Sequence, residues 1–417
     1  MSKITIQGPT VLKGDVRING SKNAALPILI ATVLLDGESQ ISNVPNLTDI
    51  ITTIRLLRSL GLKAEFTNNL VRVWGAADVR HVAPYELITN MRASFLVAGP
   101  ILARAGFAKV PYPGGCSIGS RPVDIHLKGF EAFGVDIRVE HGFVILKSDK
   151  EMAGAKFNMD FPSVGATENL MMFASLAKGT TILKNVAREP EIVDLADFLN
   201  KAGADITGAG TDTIKIKGVE KLKGIEYSVI PDRIEAATFL LAAAITRGDV
   251  VLKKVKVEHI HDILQVMEKI GVNIQIIDNE TVRVKTNGQK LKAVNVKTEP
   301  YPGFSTDMQP LLMAFLTTLD DTKSTITETI FENRFMHVME MNRMGANIEI
   351  DGKKAIIHGI NKLSGTSVKG MDLRGGAALL IAALAAEGET TLYNVQHILR
   401  GYENITEKLI GLGASIV

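Results

Sequence analysis

The sequence has little cysteine and tryptophan and no long apolar run. Its 417 residues include one cysteine, Cys116, and one tryptophan, Trp74. A lone cysteine excludes an intrachain disulfide and a cysteine-based zinc site, which is typical of a protein from a reducing compartment. The longest apolar runs have about ten residues, where a membrane span needs about 20, and the first residues lack the apolar core of a signal peptide. We therefore expect a soluble, cytoplasmic protein with no membrane insertion.

Charge of one sign is not in excess either. Lys and Arg number 47 and Asp and Glu number 45, which gives a formal net charge of +2. Such a balance exerts no overall attraction on nucleic acid, so any anion must be bound by a local cluster of cations. The sequence also lacks the phosphate-binding loop motif, the dinucleotide-binding glycine fingerprint and the spacings of metal ligands. These absences disfavour kinases and dinucleotide enzymes, and we predict neither a metal nor a cofactor.

The sequence does contain a repeat. A helix-like segment followed by a hydrophobe, a glycine and a small or branched apolar residue occurs six times, at intervals of 68 to 74 residues. Its glycines are Gly61, Gly134, Gly203, Gly271, Gly345 and Gly413. Six copies at a nearly constant period indicate repeated structural units. Each glycine suits the left-handed residue that ends a helix.

Each repeat is predicted to contain two helices and several strands. An amphipathic, outer helix precedes the glycine, as in Leu47–Leu60, Glu191–Ala202 and His259–Ile270. An inner helix is apolar nearly all round, which is typical of a buried helix. The inner helices are predicted at Asn23–Leu35, Asn90–Ala105, Ala166–Ala177, Arg233–Thr246, Met308–Thr318 and Gly375–Ala386. The fold class is therefore α/β, with two similar domains of three repeated strand–helix units each.

The repeat also predicts the domain boundaries. Residues 1–21 carry strands but precede the first inner helix, so they most simply complete the sixth unit. We assign residues 22–229, with the Cys116 loop, to the first domain, and residues 1–21 plus 230–417 to the second. The chain would then cross between the domains near Gly20 and near Pro231. Because clefts between domains are favoured ligand sites, we expect the active site there.

Several inner helices begin with a cation. Lys22, Arg92, Arg233 and Arg374 stand at or just inside the first turn, where the helix dipole makes a positive charge unfavourable by about 0.3–1 kcal/mol. A bound anion would offset this cost. The alternative is that each side chain extends to solvent or pairs with a nearby carboxylate, as Asp232 could with Arg233. Taken together, the set favours an anion site.

Groups suited to anionic oxygens occur elsewhere as well. The segment from Ser163 to Thr167 begins an inner helix with hydroxyls and Gly165, so its backbone N–H groups can face phosphate oxygens. Arginine binds carboxylate or phosphate through two parallel hydrogen bonds. Further arginines that could act in this way are Arg121, Arg188, Arg334 and Arg400. Two or three such contacts would suit a small, highly charged substrate.

Two residues are candidates for chemistry. Cys116 lies in the segment Pro111–His126, whose glycines and prolines are typical of a surface loop. With Arg121 close by in sequence it is either a reactive thiol on a mobile loop or an idle surface cysteine. Asp307 opens the fifth inner helix, where it is either an N-cap or a general base, and its position alone favours the N-cap.

Eight motifs, in order, resemble those of a known family. They are Lys22-Asn23, Pro-Gly-Gly-Cys-Ser-Ile-Gly-x-Arg-Pro, Ser-Val-Gly-Ala-Thr, Pro-Asp-Arg-Ile-Glu, Thr-Asp-Met-Gln, Phe-Glu-Asn-Arg-Phe-Met-His, Asp-Leu-Arg-Gly and Arg-Gly-Tyr-Glu. From Ile18 to its last residues the sequence closely resembles the UDP-N-acetylglucosamine branch of the enolpyruvyl transferase family. The resemblance implies two inside-out α/β domains. It also implies transfer of enolpyruvyl from phosphoenolpyruvate to the 3′-hydroxyl of UDP-N-acetylglucosamine with release of phosphate, the first committed step of peptidoglycan synthesis.

The resemblance implies residue roles as well. Cys116 is similar to the general acid that protonates the methylene carbon and to the thiol that forms a covalent adduct with phosphoenolpyruvate. Asp307 would accept the proton of the sugar hydroxyl, and Lys22 and Arg400 are counted with the catalytic residues. Phosphoenolpyruvate would be bound through its phosphate by Lys22, Arg121 and Arg400 and through its carboxylate by Arg334 and Arg374, with Asn23 as a further contact. UDP-N-acetylglucosamine would be bound by Asn23, Arg92, Arg121, Pro122, Val123, Asp124, Ile125, Ser163, Val164, Gly165, Asp307 and Ile330.

One departure and two alternatives remain. Some members have a lysine two positions before the serine of Ser-Val-Gly-Ala-Thr, where this sequence has Phe161, so one diphosphate contact is in question. The chain could instead be the shikimate-pathway relative, against which the cysteine loop and Arg121-Pro122 argue. It could also be a non-catalytic paralogue that binds the nucleotide sugar and regulates by contact, against which the intact Cys116, Asp307 and Lys22 argue.

Overall fold

The structure, a computed structural model, describes residues 2–75, 79–89, 92–112, 123–148, 152–286 and 288–417. These residues divide into two compact units. The middle unit comprises the described residues of 20–112 and 123–230, and the terminal unit comprises 2–19 and those of 231–417. Among the described residues, the chain passes between the units after Asn19 and after Ile230.

The strands are short, and most have two to six residues with alternating burial. In chain order they are β1 (Lys3–Gly8), β2 (Lys13–Arg17), β3 (Leu35–Asp36), β4 (Ser39–Ser42), β5 (Lys63–Thr67), β6 (Leu70–Trp74), β7 (Phe107–Pro111), β8 (Asp136–Glu140), β9 (Phe143–Lys147), β10 (Lys156–Asn158), β11 (Thr180–Lys184), β12 (Asp205–Thr207), β13 (Thr213–Lys217), β14 (Leu222–Lys223), β15 (Glu226–Ser228), β16 (Asp249–Lys253), β17 (Asn273–Asp278), β18 (Thr281–Lys285), β19 (Asn295–Lys297), β20 (Lys323–Thr327), β21 (Asn347–Asp351), β22 (Lys354–His358), β23 (Ser367–Lys369), β24 (Gly388–Tyr393) and β25 (Ser415–Ile416).

The same pairing pattern recurs from sheet to sheet. In the third repeat β10 runs parallel to β11, which pairs antiparallel with β13, which pairs antiparallel with β12. The orders β15-β4-β6-β5, β2-β16-β18-β17, β19-β20-β22-β21 and β23-β24-β1-β25 follow it. In the second repeat the order is β7-β9-β8, and Val82 forms a parallel bridge to Lys109 in place of a first strand. Small four-stranded sheets with one parallel edge are therefore the repeated unit.

The N-terminal strands are shared between two repeats of the terminal unit. β1 pairs with β24, Ile4 opposite Leu392, and with β25, so it completes the sixth sheet as the repeat predicted. β2 instead runs parallel to β16, with Val16 opposite Leu252, in the fourth sheet. Assigning all of residues 1–21 to the sixth unit was therefore wrong for β2.

The helices alternate between inner and outer positions. In chain order they are α1 (Lys22–Ala31), α2 (Thr48–Ser59), α3 (Tyr85–Thr89), α4 (Ala98–Ala105), α5 (Asp124–Ala132), α6 (Val164–Ala174), α7 (Pro190–Lys201), α8 (Arg233–Ile245), α9 (His261–Ile270), α10 (Gln309–Leu316), α11 (Val338–Arg343), α12 (Leu373–Ala385) and α13 (Ile405–Gly411). Turns of 3-10 helix cover Thr32–Leu34, Arg92–Val97, Val257–Ile260 and Val395–Arg400. In the part of the chain described, no helix is long and apolar enough to cross a membrane.

The predicted inner helices α1, α4, α6, α8, α10 and α12 form the core. All thirteen residues of α8 are buried, and so are all eight of α10. Each unit has one hydrophobic core built around its three inner helices, while the outer helices and sheets present one apolar face to it. The prediction of buried inner helices is confirmed.

The repeat glycines end the outer helices, as predicted. Gly61, Gly134, Gly203, Gly271, Gly345 and Gly413 all have positive φ, between 80° and 111°. This is the left-handed region that a Cβ disfavours. Around Gly134, Gly203 and Gly345 a Cβ would meet no atom within 4 Å, so backbone conformation rather than space requires glycine there. The glycines that repeat in the sequence therefore mark the ends of the outer helices.

We expect alanine to have opposite effects at two glycines two residues apart. Gly413→Ala forces a Cβ into φ +100° with no clash, and should lower the free energy of unfolding by about 1–2 kcal/mol. Gly411→Ala, in α13 with open space around it, should raise it by roughly 0.5–1 kcal/mol. Denaturant titration of the purified variants checks this. Equal effects at both positions would contradict the helix-end explanation.

Candidate active site

Asp307 in the terminal unit does not cap a helix. α10 begins at Gln309 with Met308 at its cap and no side-chain cap bond. The Asp307 carboxylate instead accepts hydrogen bonds from Arg334 Nη2 at 2.8 Å and from Arg374 Nη2 and Nε at 3.2 and 3.3 Å. The N-cap interpretation, which position alone favoured, was wrong. Two guanidinium groups, one from the same repeat and one from the next, hold this carboxylate more strongly than a neighbouring backbone N–H would.

Both arginines are buried. The side chain of Arg334 is 2% exposed and that of Arg374 is 5% exposed. Arg334 also donates to the Thr306 carbonyl oxygen at 3.2 Å and lies 3.7 Å from Asp372 Oδ1. Arg374 Nη1 is buried and has no hydrogen-bond acceptor among the described residues. Since a buried N–H without an acceptor is costly, Arg374 retains a donor that an anionic oxygen could use.

The start of α12 holds Arg374 in place. Asp372 caps the helix, its Oδ1 accepting from the N–H groups of Arg374 and Gly375 at 3.0 Å each. The guanidinium carbon of Arg374 lies 5.3 Å from the centre of the Tyr402 ring. Burial alone would lower the pKa of Arg374, but Tyr402, Asp307 and Asp232 together raise it above its ordinary value. Groups at the starts of α8, α10 and α12 therefore act on one another electrostatically.

Arg233, the first residue of α8, lies in a second cluster of this unit. Its guanidinium carbon is 5.6 Å from the centre of the Tyr301 ring. Asp262, the second residue of α9, is buried, and burial raises its pKa against the pull of Arg233. Asp232 Oδ1 caps α8 by accepting from the N–H groups of Ile234 and Glu235. The cation at this helix start therefore acts electrostatically on a carboxyl group of the outer helix of its own repeat.

Lys22 in the middle unit has a similar arrangement. It is the first residue of α1, and its Nζ lies 3.3 Å from Oδ2 of Asp49, the second residue of α2. Both side chains are largely buried, at 11% and 8% exposure. Pairing with a carboxylate, one of the two explanations for cations at inner helix starts, therefore applies to Lys22 and Arg374. The anion site itself stays a prediction.

The start of α6 is tightly packed in the same unit. Ser163 Oγ caps the helix by accepting from Ala166 N–H at 3.3 Å. A Cβ on Gly165 would lie 3.3 Å from His126 Cε1, so glycine lets the helix start approach that ring. The His126 ring is 3.1 Å from Asn169 Nδ2 through Nδ1 and meets Phe95 edge-on at 5.3 Å. His126 thus supports the first turn of α6.

The remaining predicted residues fall into two groups. The described ones are Asn23 on α1, Val123, Asp124 and Ile125 at the start of α5, Ile330 after β20 and Arg400 at the end of the 3-10 turn Val395–Arg400. Of these, Val123 is buried and Asp124 exposed, and Ile330 donates its N–H to Glu328 Oε1 at 2.8 Å. Outside the described residues lie Cys116, Arg121 and Pro122, as does the side chain of Arg92.

Sequence analysis missed three polar residues of these clusters. Asp49 carries a weak signal, a carboxylate in the first turn of an amphipathic helix. Glu328 carries none, because an isolated Glu beside a strand resembles a surface residue, and His337 ends the motif Phe-Glu-Asn-Arg-Phe-Met-His, which marks its position but gives it no role. In the structure they are 2% and 1% exposed. Both lie against the Asp307 cluster, through Thr306 and Arg334 respectively.

Comparisons with known proteins give one family. The family model described as EPSP synthase (3-phosphoshikimate 1-carboxyvinyltransferase) matches residues 6–409. The chain is 50% identical over 417 residues to UDP-N-acetylglucosamine 1-carboxyvinyltransferase 1 of Caldanaerobacter subterraneus, covering 100% of this chain and 99% of the relative. It is 52% identical over 420 residues to UDP-N-acetylglucosamine 1-carboxyvinyltransferase of Geobacter metallireducens, with the same coverage.

Solved structures agree in fold. The enolpyruvyl transferase NikO from Streptomyces tendae superposes with a TM-score of 0.90 at 25% identity, covering 100% of this chain and 98% of NikO. EPSP synthase from Acinetobacter baumannii superposes with a TM-score of 0.79 at 19% identity over 100% of both chains. The predicted enolpyruvyl transferase fold is confirmed.

We expect His337 to stay neutral at neutral pH. Burial, together with Arg334 and against Asp372, lowers its pKa from 6.5 to about 4. Between these values the unfolded chain binds a proton that the folded chain does not, so stability should fall as pH drops from about 6.5 towards 4. The His337 ring signal in NMR, assigned by its loss in His337→Asn, should not titrate above pH 5. A midpoint near 6.5 would contradict the burial argument.

Proposed function

The chain belongs to the EPSP synthase (3-phosphoshikimate 1-carboxyvinyltransferase) family of enolpyruvyl transferases, and on that premise we propose that it transfers enolpyruvyl from phosphoenolpyruvate to the 3′-hydroxyl of UDP-N-acetylglucosamine. The observation that carries this choice is 50–52% identity, over the whole length, to proteins named for that reaction. Identity to the EPSP synthase of A. baumannii is 19%. Fold alone would not separate the two acceptors, since both enzymes share it.

In the proposed reaction the sugar oxygen adds to C2 of phosphoenolpyruvate. The hydroxyl proton passes to Asp307, and the methylene carbon takes a proton from Cys116, giving a tetrahedral adduct. Loss of phosphate and of a methyl proton then forms the enol ether. Phosphoenolpyruvate and UDP-N-acetylglucosamine are consumed, and phosphate and the enolpyruvyl sugar nucleotide are formed. The role of Cys116, and its covalent adduct with phosphoenolpyruvate, rest on the family resemblance.

The proposed carboxylate site is supported by the contacts of Asp307. Arg334 and Arg374 hold the phosphoenolpyruvate carboxylate in the proposal, yet without substrate both donate to Asp307. A carboxylate whose oxygens already accept these charged hydrogen bonds is a poor base. The substrate carboxylate would compete for the same N–H groups, with Arg374 Nη1 as a donor that is still open. Substrate binding would in this way release the base.

The other proposed contacts follow the motifs. Lys22, Arg121 and Arg400 bind the phosphate that leaves, and their charge stabilises it, while Asn23 is a further contact of phosphoenolpyruvate. The diphosphate of the sugar nucleotide lies at the start of α6, at Ser163, Val164 and Gly165, with Phe161 in place of one lysine. The uridine contacts Arg121, Pro122, Val123, Asp124 and Ile125. Arg92 is a further site arginine, and Asn23, Asp307 and Ile330 contact the sugar. That residues of both units act on the same substrates stays a prediction.

We place this activity in the cytoplasm, at the first committed step of peptidoglycan synthesis. The product would serve cell wall biogenesis, and through it cell shape and cell division. The substrates are small molecules, and no nucleic acid takes part. No cofactor is needed for the transfer, because the proposed acid, base and cations are side chains of this chain.

The first test is phosphate release from phosphoenolpyruvate, with UDP-N-acetylglucosamine or shikimate 3-phosphate as acceptor. We expect phosphate release when UDP-N-acetylglucosamine is the acceptor and none when shikimate 3-phosphate is. The rate of release should collapse in Cys116→Ser, because the serine hydroxyl is a far weaker acid than a thiol. Release only with shikimate 3-phosphate would favour the shikimate-pathway alternative. Tight binding of the nucleotide sugar without release would favour the non-catalytic paralogue. Phosphate release that persists in Cys116→Ser would support the transferase activity but would show that Cys116 is not the general acid.

Arg374→Lys tests the carboxylate site. Lysine keeps the charge but loses the fork, so two hydrogen bonds to Asp307 and the open Nη1 donor disappear. We expect the KM for phosphoenolpyruvate to rise by about ten- to a hundredfold, the value of one or two charge-assisted hydrogen bonds. Arg343→Lys, on a side chain that is 58% exposed, is the matched control and should change KM less than twofold. An unchanged KM in Arg374→Lys would mean that the phosphoenolpyruvate carboxylate does not bind at Arg374.

A further inference from the structure

We propose that Glu328 is a positioning residue for the proposed reaction: it fixes, through one buried carboxylate, the segment that carries Asp307 and the turn that carries Ile330. This inference rests on the proposed function and deepens it, since neither the motifs nor the resemblance assigns Glu328 a role. Glu328 follows directly on β20 and is 2% exposed. A buried carboxylate at the end of a strand needs partners, and those it has come from three places in the chain.

The Glu328 carboxylate accepts four hydrogen bonds. Oε1 accepts from the Thr298 hydroxyl at 2.9 Å and from the N–H groups of Ile330 and Phe331 at 2.8 and 3.2 Å. Oε2 accepts from the Thr306 hydroxyl at 3.0 Å. Two oxygens with about four lone-pair directions can satisfy such a set of donors. The side chain is therefore a junction between backbone and side-chain donors of separate segments.

One side of this junction leads to the proposed base. Thr306 precedes Asp307, and the Thr306 carbonyl oxygen accepts from Arg334, which also donates to Asp307. Thr298, the other hydroxyl donor, forms a parallel bridge with Phe304 at the far end of the same segment. Glu328 thus holds both ends of the segment 298–306. Where Thr306 lies decides where Asp307 and the Arg334 guanidinium lie.

The other side of the junction leads to the proposed sugar contact. Because Ile330 and Phe331 both donate their N–H groups to Glu328, the turn after β20 is closed upon this carboxylate. Thr329, between Glu328 and Ile330, adds two hydrogen bonds to Thr298, from its N–H at 2.9 Å and its hydroxyl at 2.6 Å. The base and the sugar contact therefore share one anchor, and a shift of one is coupled to a shift of the other.

The chemistry of the donors allows a sharp pair of variants. The two backbone N–H groups can only donate, whereas a threonine hydroxyl can turn and accept. In Glu328→Gln the amide oxygen can face Ile330 and Phe331 while the amide nitrogen donates to the Thr306 hydroxyl. Glutamine should therefore keep the junction. In Glu328→Ala all four donors lose their acceptor, and the two loops are no longer tied together.

Kinetics of phosphate release test the inference. We expect kcat/KM for UDP-N-acetylglucosamine to fall by about a hundredfold in Glu328→Ala, as for a displacement near 1 Å, and to stay within a few-fold of the wild type in Glu328→Gln. Thr306→Val, which removes only the bond on the Asp307 side, should lower kcat while KM for the nucleotide sugar stays near the wild-type value. Glu349→Ala, on a side chain that is 66% exposed, is the control and should change neither constant.

Each other result overturns the inference. Wild-type kinetics in Glu328→Ala, with only a lower melting temperature, would make Glu328 a stabilising residue and no more. Loss in Glu328→Gln equal to that in Glu328→Ala would mean that the hydrogen-bond junction is not what matters. If Glu328→Ala does not fold, wild-type kinetics in Thr306→Val would overturn it equally. No phosphate release by the wild type would instead remove the proposed function, and the inference with it.

Discussion

The burial of the inner helices is the constraint on which the rest of this structure depends. A helix packed on every side, as α8 is, can present no polar stripe to solvent along its length. The charged residues of α8, Arg233 and Glu235, lie in its first turn, and the starts of α8, α10 and α12 bring Asp232, Asp307 and Arg374 within electrostatic reach of one another. A repeat selected for packing thus produces a cluster of charges as a by-product of its geometry. The described part of the candidate site in the terminal unit lies at such helix starts.

Charge balance decides what such a cluster can bind. Arg334 and Arg374 face Asp307 and Asp372, so each of these two buried cations has an opposite partner. In the proposed reaction, a substrate carboxylate would add one negative charge and so make Asp307 a better proton acceptor when the hydroxyl proton is removed. The same arginines that weaken the base at rest would thereby couple its strength to occupancy of the site. Buried arginines suit this task because guanidinium keeps its charge where an ammonium would lose it more readily.

The sequence repeat allowed the helices and their ends to be predicted, whereas contacts between residues far apart in the sequence could not be predicted. Apolar spacing and the six glycines predicted inner and outer helices and the helix ends, because these features are local in sequence. Asp307 shows the limit: its position suggested a cap, and only the fold brings in Arg334 and Arg374, 27 and 67 residues away. Glu328 gave no signal at all, since its four donors are specified by tertiary structure and its neighbours do not distinguish it from a surface glutamate. For β2, the strand pattern was visible, but nothing local says which of two similar sheets it joins.

β1 and β2 join two different sheets of the terminal unit, and this has a consequence for the order in which the chain folds. β1 leaves the ribosome before the middle unit is made, yet its partners in β24 and β25 lie 380 to 410 residues later. The middle unit contains its own strands and core, so it can fold while the terminal unit waits for its last sheet. Until β24 and β25 have been synthesised, β1 has no strand to pair with. An unpaired strand edge of this kind can pair with a second chain. The alternation of Lys3, Thr5 and Gln7 with Ile4 and Ile6 keeps one face of that waiting strand polar.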